Sequence, residues 1–262
     1  MSGPGPDRKV QVLDLEGRPG NELSLPDAFH GPVRIDLIRR AVVSAQSHRV
    51  QPHGTSLTAG ARHSVQWSGK GKGVSRTPRL MGSMTGAQSP NTVGGRPAHP
   101  PKVDRIWAKK INIKERRLAF ASALAATRAG DLATARGHHV PEGLSLPLIV
   151  ETPLEEVLSA SEARTILGRL KLVDEIDRVK DGVSIRAGRG KRRGRRHHVP
   201  IGLLVVTSAP KKARGFRNLP GVDVVSVGRL GTEDLAPGGT PGRLTVFSQA
   251  ALESLGQRLS GE

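Results

Sequence analysis

Acidic residues are absent from two long segments of this 262-residue chain, and this segregation separates the two segments from a remainder that resembles an ordinary soluble domain. Residues 37–103 contain ten Lys or Arg and no Asp or Glu, and residues 182–222 contain eleven Lys or Arg and again no acid. The formal net charge of +18 comes from these two segments, because the rest of the chain is close to neutral. Concentrated cations repel one another, so both segments indicate a polyanionic partner, either nucleic acid or an anionic membrane surface.

The composition excludes several classes of site. The chain has no cysteine, which removes disulfides, thiolate catalysis and cysteine-based zinc sites. Aromatic residues make up 2% of the chain, so surfaces on which single-stranded bases stack are scarce. Residues 1–10 lack an apolar core, and no stretch approaches about 20 apolar residues. We therefore expect a soluble, cytosolic protein without an export signal or a membrane span.

The remaining sequence predicts an α/β fold. Five short apolar runs are typical of buried strands, and helical patterns separate several of them; the runs are residues 10–15, 146–151, 201–208, 222–228 and 244–248. Strands that alternate with helices favour a largely parallel sheet with helices packed against it. By contrast, residues 50–103 are rich in Gly and Pro and have no apolar period, so we expect them to be disordered or organised by a partner.

The helix predicted in residues 112–130 has a signal at each end. Asn112 is a candidate N-cap with Glu115 three residues later, and Gly130 is a plausible stop. The residues expected to face inward are Leu118, Ala121 and Ala125.

Two further helices follow the same logic. Ser159 is expected to cap one of them, with Glu162 reaching back to the cap. Ser248 is expected to cap the last helix of the chain. The residues predicted to face inward are Ala163, Ile166, Leu167 and Leu170 in the first helix, and Ala251, Leu252 and Leu255 in the second.

No complete catalytic, nucleotide or metal motif is present. The Gly-rich stretches 69–73 and 187–194 complete neither GxxxxGK[ST] nor GxGxxG. The adjacent pairs His138–His139 and His197–His198 do not share one helical face, so they indicate hydrogen-bonding histidines rather than metal ligands. The distinctive stretch 232–247 predicts a turn-rich entry to a strand and no chemistry. We expect no catalytic residue, no metal and no cofactor.

The basic segments are open to more than one interpretation. They could be solvated charge runs that adhere non-specifically. However, Arg outnumbers Lys 29 to 12, and Arg binds phosphate bidentately and stacks on bases. Glycines also let backbone N–H groups approach a phosphate closely, which favours recognition of structured RNA. The alternatives are a DNA-coating architectural protein and an RNA-modifying enzyme.

A series of motifs resembles one family over nearly the whole chain. GGRPAHPPK (94–102) and TEDLAPGGTPGRLTVFSQAAL (232–252) are the most specific. The others are LTAGAR (57–62), WSGKGKGVSRTPR (67–79), NIKERRLAFASALAAT (112–127), IRAGRGKRRGRR (185–196) and NLPGVDVVSV (218–227). Taken in their order along the chain, these motifs resemble large-subunit ribosomal protein four of the archaeal and eukaryotic type. The eukaryotic C-terminal extension is missing, which favours an archaeal source.

The resemblance implies a structural constituent of the large ribosomal subunit, in the cytoplasm, and not an enzyme. It implies a globular domain (1–45 and 105–262), an extended loop (46–104) in the wall of the peptide exit tunnel, and a basic loop (185–198) that binds ribosomal RNA. The implied partners are ribosomal RNA, neighbouring ribosomal proteins, including one whose hairpin shares the tunnel constriction, and the nascent peptide. No membrane is implied.

Site residues follow from the same resemblance. The implied RNA-binding residues are Arg62, Trp67, Lys70, Lys72, Arg76, Arg79, Arg96, Lys102, Arg186, Arg189, Lys191, Arg192, Arg193, Arg195 and Arg196. The implied tip of the loop contains Gly69, Gly71, Gly73, Arg76, Met81 and Met84. Residues 80–95 carry no Lys or Arg, unlike the family pattern, so we hypothesise that Leu80–Ser89 lines the tunnel rather than binding RNA phosphates.

Overall fold

The computed structural model describes residues 9–141 and 143–260, and the chain divides into two compact units. The globular unit comprises Met1–Gln46 and Lys110–Glu262, and the inserted unit comprises Ser47–Lys109. Residues 1–8 lie outside the described residues. They belong to the predicted domain segment 1–45 and to the stretch on which the expectation of no export signal was based. No helix in the described part of the chain is long and apolar enough to cross a membrane.

Each of the five predicted strands overlaps a strand of the structure, namely β1, β5, β8, β9 and β10 in the list that follows. In chain order the strands and α-helices of the described residues are β1 (Lys9–Leu13), β2 (Pro19–Ser24), α1 (Ile35–Ser47), β3 (Val65–Gln66), β4 (Arg79–Leu80), α2 (Ile113–Thr127), α3 (Gly130–Ala135), β5 (Leu148–Val150), α4 (Ala160–Arg169), α5 (Val173–Asp181), β6 (Ser184–Ile185), β7 (His197–His198), β8 (Leu204–Thr207), β9 (Asp223–Ser226), α6 (Thr232–Leu235), β10 (Thr245–Ser248) and α7 (Gln249–Ser260).

The globular unit contains a six-stranded sheet with the order β2–β1–β5–β10–β8–β9. Neighbouring strands are parallel except for β1 and β2, which pair antiparallel. The predicted fold class, a largely parallel sheet flanked by helices, is confirmed. The sequence did not predict β2, because its residues PGNELS are mostly exposed and lack apolar alternation. An edge strand of this kind needs only backbone hydrogen bonds to its one neighbour.

Strand residues alternate between two apolar layers, one on each face of the sheet. Ile149 and Phe247 pack in one layer, which also includes residues of α1, α2 and α7. Leu148 and Val246, their neighbours along the same strands, pack in the other layer, together with residues of α4 and α5. Because helices cover both faces, these strands are apolar at consecutive positions, as is typical of buried parallel strands.

Helix α2 begins as predicted, but its end and its buried face differ from the prediction. The Asn112 side chain accepts a hydrogen bond from the Lys114 N–H at 3.0 Å, so the N-cap is confirmed. The helix ends at Thr127, and Gly130 begins α3 instead of serving as a stop. The predicted face was wrong in part, since Leu118 is exposed, Ala121 is half-buried and Ala125 is buried.

The physical reason is that α2 is covered on more than one side. It packs on the short 3-10 helix Asp27–His30 and also on α6, so nearly every residue from Ala119 to Thr127 is buried. Alanine side chains are small enough for other elements to pack closely on every side of a helix. In an alanine-rich helix the spacing of apolar residues therefore does not identify one buried face.

Helices α4 and α7 match their predicted faces. Ser159 holds the N-cap position of α4, but its side chain makes no capping hydrogen bond. The Ser248 hydroxyl accepts a hydrogen bond from the Ala251 N–H at 3.1 Å, which confirms it as the cap of α7. All the predicted inward residues are buried: Ala163, Ile166, Leu167 and Leu170 in the first case, and Ala251, Leu252 and Leu255 in the second.

The inserted unit doubles back on itself and consists mostly of turns. Strands β3 and β4 pair antiparallel, and the Thr55 N–H donates to the Pro101 carbonyl at 3.1 Å further along the two arms. Gly60 has a φ of +72°, and a Cβ added there would lie 2.6 Å from the Arg96 nitrogen. The two arms therefore approach each other so closely that this position requires glycine.

Candidate nucleic-acid interface

The second acid-free segment forms a two-stranded hairpin, called here the basic hairpin (residues 183–201). Strands β6 and β7 pair Ser184 with His198 and Ile185 with His197, and the Arg186 N–H donates to the Arg196 carbonyl at 2.9 Å. The connecting loop contains the 3-10 helix Arg189–Arg193, which ends at Gly194 with a φ of +78°. Gly194 thus supplies the left-handed turn that closes the loop.

All seven cations of the basic hairpin are exposed, and none of them forms an ion pair with any residue that the structure describes. They are Arg186, Arg189, Lys191, Arg192, Arg193, Arg195 and Arg196. Elsewhere in the globular unit, cations do pair with acids: Arg40 contacts Glu115 at 2.9 Å and Arg164 contacts Asp177 at 3.1 Å. The hairpin therefore presents uncompensated positive charge.

Most of the predicted cations of the inserted unit are also exposed. They are Arg62, Lys70, Lys72, Arg76, Arg96 and Lys102. Arg79 differs from them, because its guanidinium donates to the Met84 carbonyl and, at 3.1 Å, to the Ser75 hydroxyl. Its side chain is half-buried and braces the turn that follows β4.

The two tryptophans lie in different surroundings. The Trp107 ring stacks on the His53 ring with centroids 4.4 Å apart, and the Arg105 guanidinium lies 4.9 Å from its centroid. Trp67 is exposed and lies next to the glycine-rich turn between β3 and β4. Of the two indole rings, Trp67 is the one open to an external base.

The turn between β3 and β4 presents backbone rather than side chains. Gly69, Gly71 and Gly73 all have positive φ, and a Cβ added at any of them would meet no atom within 4 Å. Backbone N–H groups at such glycines are accessible to a phosphate. Met81 and Met84 are also exposed, on the neighbouring turn.

The distinctive stretch 232–247 has a structural role that its sequence pattern did not reveal. Arg243 is buried and donates to the Gly202 carbonyl at 2.9 Å, the Asp234 carbonyl at 3.0 Å and the Asp223 carboxylate at 2.5 Å. It thereby ties together the amino ends of β8, β9 and β10. An arginine directly before the apolar run LTVF was the only signal for it, since its partners are distant in sequence.

A second buried charge joins the carboxyl ends of the strands. The Glu155 carboxylate accepts hydrogen bonds from the Ser248 hydroxyl at 2.5 Å, the Ser208 N–H at 2.6 Å and the Ser208 hydroxyl at 2.7 Å, and it contacts Lys212 at 2.9 Å. Burial alone would raise the pKa of Glu155, but these hydrogen bonds outweigh burial and lower it. All the partners of Glu155 stabilise its ionised carboxylate, which indicates a structural role.

The first histidine pair belongs to a third buried cluster. His138 Nδ1 lies 2.6 Å from the Glu175 carboxylate, which also accepts hydrogen bonds from the His139 N–H at 2.9 Å and from Arg178 at 2.7 Å. His197 and His198 lie in β7, away from this cluster in sequence. Within residues 9–141 and 143–260, no group of three or more His, Asp or Glu side chains could hold a metal ion.

The Glu175 cluster predicts a specific dependence of stability on pH. Burial would raise the pKa of Glu175, but hydrogen bonds from Arg178, His138 and the His139 N–H outweigh burial and lower the pKa to about 2. A depressed pKa stabilises the fold above the unfolded value and loses that contribution as pH falls through the folded value. Between pH 4.5 and 2, we expect Glu175 to account for a loss of about 3 kcal/mol in the free energy of unfolding.

Urea denaturation of the wild type and of Glu175→Gln between pH 2 and 6 tests this expectation. The variant should be less stable than the wild type at pH 6, and the difference should shrink as pH falls through this window. A difference that stays constant from pH 6 to pH 2 would show that ionised Glu175 does not stabilise the fold.

Comparisons with known proteins agree with the resemblance in the sequence. Residues 23–258 match the ribosomal protein L4/L1 family. The chain is 46% identical to the large ribosomal subunit protein uL4 of Pyrobaculum aerophilum, over 95% of the chain and 90% of that protein. It is 44% identical to the uL4 protein of Methanopyrus kandleri over 96% of the chain and 99% of that protein. The identity to the uL4 protein of Methanosphaera stadtmanae is 43%, over 95% of the chain and 96% of that protein.

Proposed function

Because the chain belongs to the ribosomal protein L4/L1 family, of the archaeal uL4 type, we propose that it binds large-subunit ribosomal RNA through the basic hairpin and the inserted unit. We also propose that the tip of the inserted unit forms part of the wall of the peptide exit tunnel. The chain is a large-subunit ribosomal protein that takes part in translation within the ribosome, and it is not an enzyme. Its partners are ribosomal RNA and other ribosomal proteins.

The observation that carries the proposal for RNA binding is the set of seven exposed cations on the basic hairpin without an acidic partner among the described residues. Phosphates neutralise such a cluster, and the counterions released on binding supply much of the affinity. Arginine, which makes up six of the seven, recognises phosphate bidentately. A hairpin held by its own backbone hydrogen bonds presents these side chains together.

In the inserted unit, different parts support different roles. We assign phosphate contacts to Arg62, Lys70, Lys72, Arg76, Arg96 and Lys102, whose side chains are exposed. Trp67 is assigned to base stacking, because its ring is open. Arg79 is assigned a bracing role, since its guanidinium bonds within the unit.

The tunnel wall is assigned to residues 80–89, which overlap the tip of the loop. Met81 and Met84 are exposed there, in a stretch without Lys or Arg, and such a surface does not bind RNA phosphates. Weakly interacting apolar side chains suit a wall that a nascent peptide must pass without being held. The neighbour across the tunnel would be another ribosomal protein that contributes a hairpin.

Sedimentation of the native protein in a sucrose gradient, before and after a high-salt wash, tests the proposal. We expect about one copy per large subunit, retained in high salt and released when the ribosomal RNA is unfolded, because an element enclosed by folded RNA cannot leave by ion exchange alone. Loss in moderate salt would favour a DNA-coating or other peripheral binder, and recovery at the top of the gradient would exclude a ribosomal location.

The tunnel assignment needs a separate readout. Deletion of residues 64–92 removes β3, β4 and the tip but leaves the Thr55–Pro101 hydrogen bond. We expect this variant to cosediment with the large subunit and to lose the cross-link that a nascent peptide carrying a photoreactive group forms with the wild-type chain. An undiminished cross-link to the variant would contradict the tunnel assignment.

A further inference from the structure

The arms of the basic hairpin carry exposed apolar side chains that the charge of the loop does not explain. Val183, Ile185, Val199 and Ile201 are 39%, 57%, 46% and 42% exposed. All four are β-branched, which stabilises the extended backbone of the hairpin, but threonine would do this as well without exposing apolar surface to water. We call these four residues the apolar face of the hairpin.

The pairing of the strands accounts for this face. Ile185 lies opposite His197, and in an antiparallel pair directly opposed residues point to the same side of the sheet. Val183 is two residues before Ile185, and Val199 is two residues after His197, so alternation along each arm brings both to that side. Ser184 and His198 point to the other side. The hairpin thus has one polar side and one largely apolar side.

The apolar face adjoins the basic loop. Ile185 is followed directly by Arg186, and His197 is preceded directly by Arg196, so the apolar face lies within one strand residue, about 3.3 Å, of the basic loop. By the same alternation Arg186 and Arg196 point to the polar side, but the other five cations lie in the loop beyond the strands, so a partner that binds these loop cations lies at the end of the apolar face, next to Ile185. This partner must present phosphates and apolar surface a few ångströms apart.

Unpaired nucleotides of RNA meet this requirement. In loops and bulges the bases are unstacked, so their faces and the ribose carbons are exposed beside the phosphates. The residues from Gly182 to Val222 include no acid, which gives charge complementarity to RNA along the whole hairpin and its flank.

We propose that the basic hairpin recognises an unpaired region of RNA by two separable contacts: the loop cations bind phosphates, and the apolar face packs on the bases and riboses of the same nucleotides. This inference rests on the proposed function and goes beyond it, because it assigns the hairpin a preference for unpaired over double-helical RNA.

Binding of the full chain to a transcript of archaeal large-subunit ribosomal RNA, measured by filter binding over a range of salt concentrations, tests the inference. The test variant replaces all four residues of the apolar face with threonine, which also favours β-strands. The substitutions are Val183→Thr, Ile185→Thr, Val199→Thr and Ile201→Thr. We expect an affinity about 10- to 100-fold lower at every salt concentration, because apolar burial is lost. The slope of log affinity against log salt should be unchanged, since no phosphate contact is removed.

Val43→Thr is the matched control, because Val43 is 46% exposed, as Val199 is, but lies on α1. It should bind like the wild type. The single variant Ile185→Thr, at the most exposed position, should show a severalfold loss and replaces the fourfold variant if the latter does not fold. A double-helical RNA competitor of equal length should displace the transcript poorly.

The outcomes separate this inference from the proposed function. An affinity of the threonine variant equal to that of the wild type, an equal loss in the control, or a changed salt slope would overturn the two-contact inference alone. Absence of salt-dependent binding by the wild-type chain would overturn the proposed function and this inference with it.

Discussion

The variant with Lys191, Arg192, Arg193, Arg195 and Arg196 all replaced by alanine is expected to bind large-subunit ribosomal RNA about a thousandfold to ten-thousandfold more weakly at 0.1 M salt. Each phosphate contact contributes about 0.7–0.9 to the slope of log affinity against log salt, so five lost contacts reduce that slope by about four. Filter binding over a salt series measures both quantities. In cells, incorporation of the variant into large subunits should fall accordingly.

The free protein should remain folded, because all five side chains are exposed and none pairs with an acid among the described residues. A charge-matched control removes exposed cations from other elements of the globular unit, at Lys114, Arg116, Lys171, Lys180 and Arg229. An equal loss of affinity in the control would show that net charge, and not the hairpin, determines binding. A fall in melting temperature comparable to that of a core mutation would contradict the assignment of these residues to RNA.

Replacement of Glu155 by alanine is expected to reduce the free energy of unfolding of the globular unit by about 3–5 kcal/mol. The carboxylate is buried and accepts from Ser208 and Ser248, so its removal leaves a buried N–H and two hydroxyls without their acceptor, beside a cavity. Ser248 also caps α7, so the loss reaches the last helix. Chemical denaturation monitored by circular dichroism measures the change.

Glu156 provides the control, since it is the next residue, has the same side chain and is exposed. Glu156→Ala should change the free energy of unfolding by no more than about 0.5 kcal/mol. Glu155→Gln keeps the shape but exchanges one acceptor oxygen for a donor, and it should fall between the wild type and the alanine variant. A Glu155→Ala protein as stable as the control variant would show that the cluster at the carboxyl ends of the strands does not stabilise the fold.

Short-range sequence patterns predicted the strands that are covered on both faces and the helices that are buried along a single stripe. Strands β5, β8 and β10 are buried on both faces, so their continuous apolar runs identified them. Helices α4 and α7 each bury one stripe against one face of the sheet, and their period of 3.6 predicted that stripe. By contrast, α2 is covered on several sides, and its pattern selected Leu118, which is exposed.

The buried charges could not be found in the sequence, because their partners are far apart along the chain. Glu155 meets Ser208 and Ser248 across 53 and 93 residues. Arg243 meets Gly202 across 41 residues. A sequence motif marks a residue only when its partners have a fixed local spacing, and the sheet topology created these encounters.

The amino-acid sequence is enough to identify the segregation of charge, the α/β class and the positions of the main strands, because each depends on composition or on a periodicity within about ten residues. The three-dimensional fold, by contrast, determines which charges are compensated. It buried Glu155 and Arg243 among partners from several strands, engaged Arg79 within its own turn, and left the cations of the basic hairpin exposed. The physical reason is that a charge is neutralised by what lies within a few ångströms of it, and distance in space is set by the fold rather than by the order of residues.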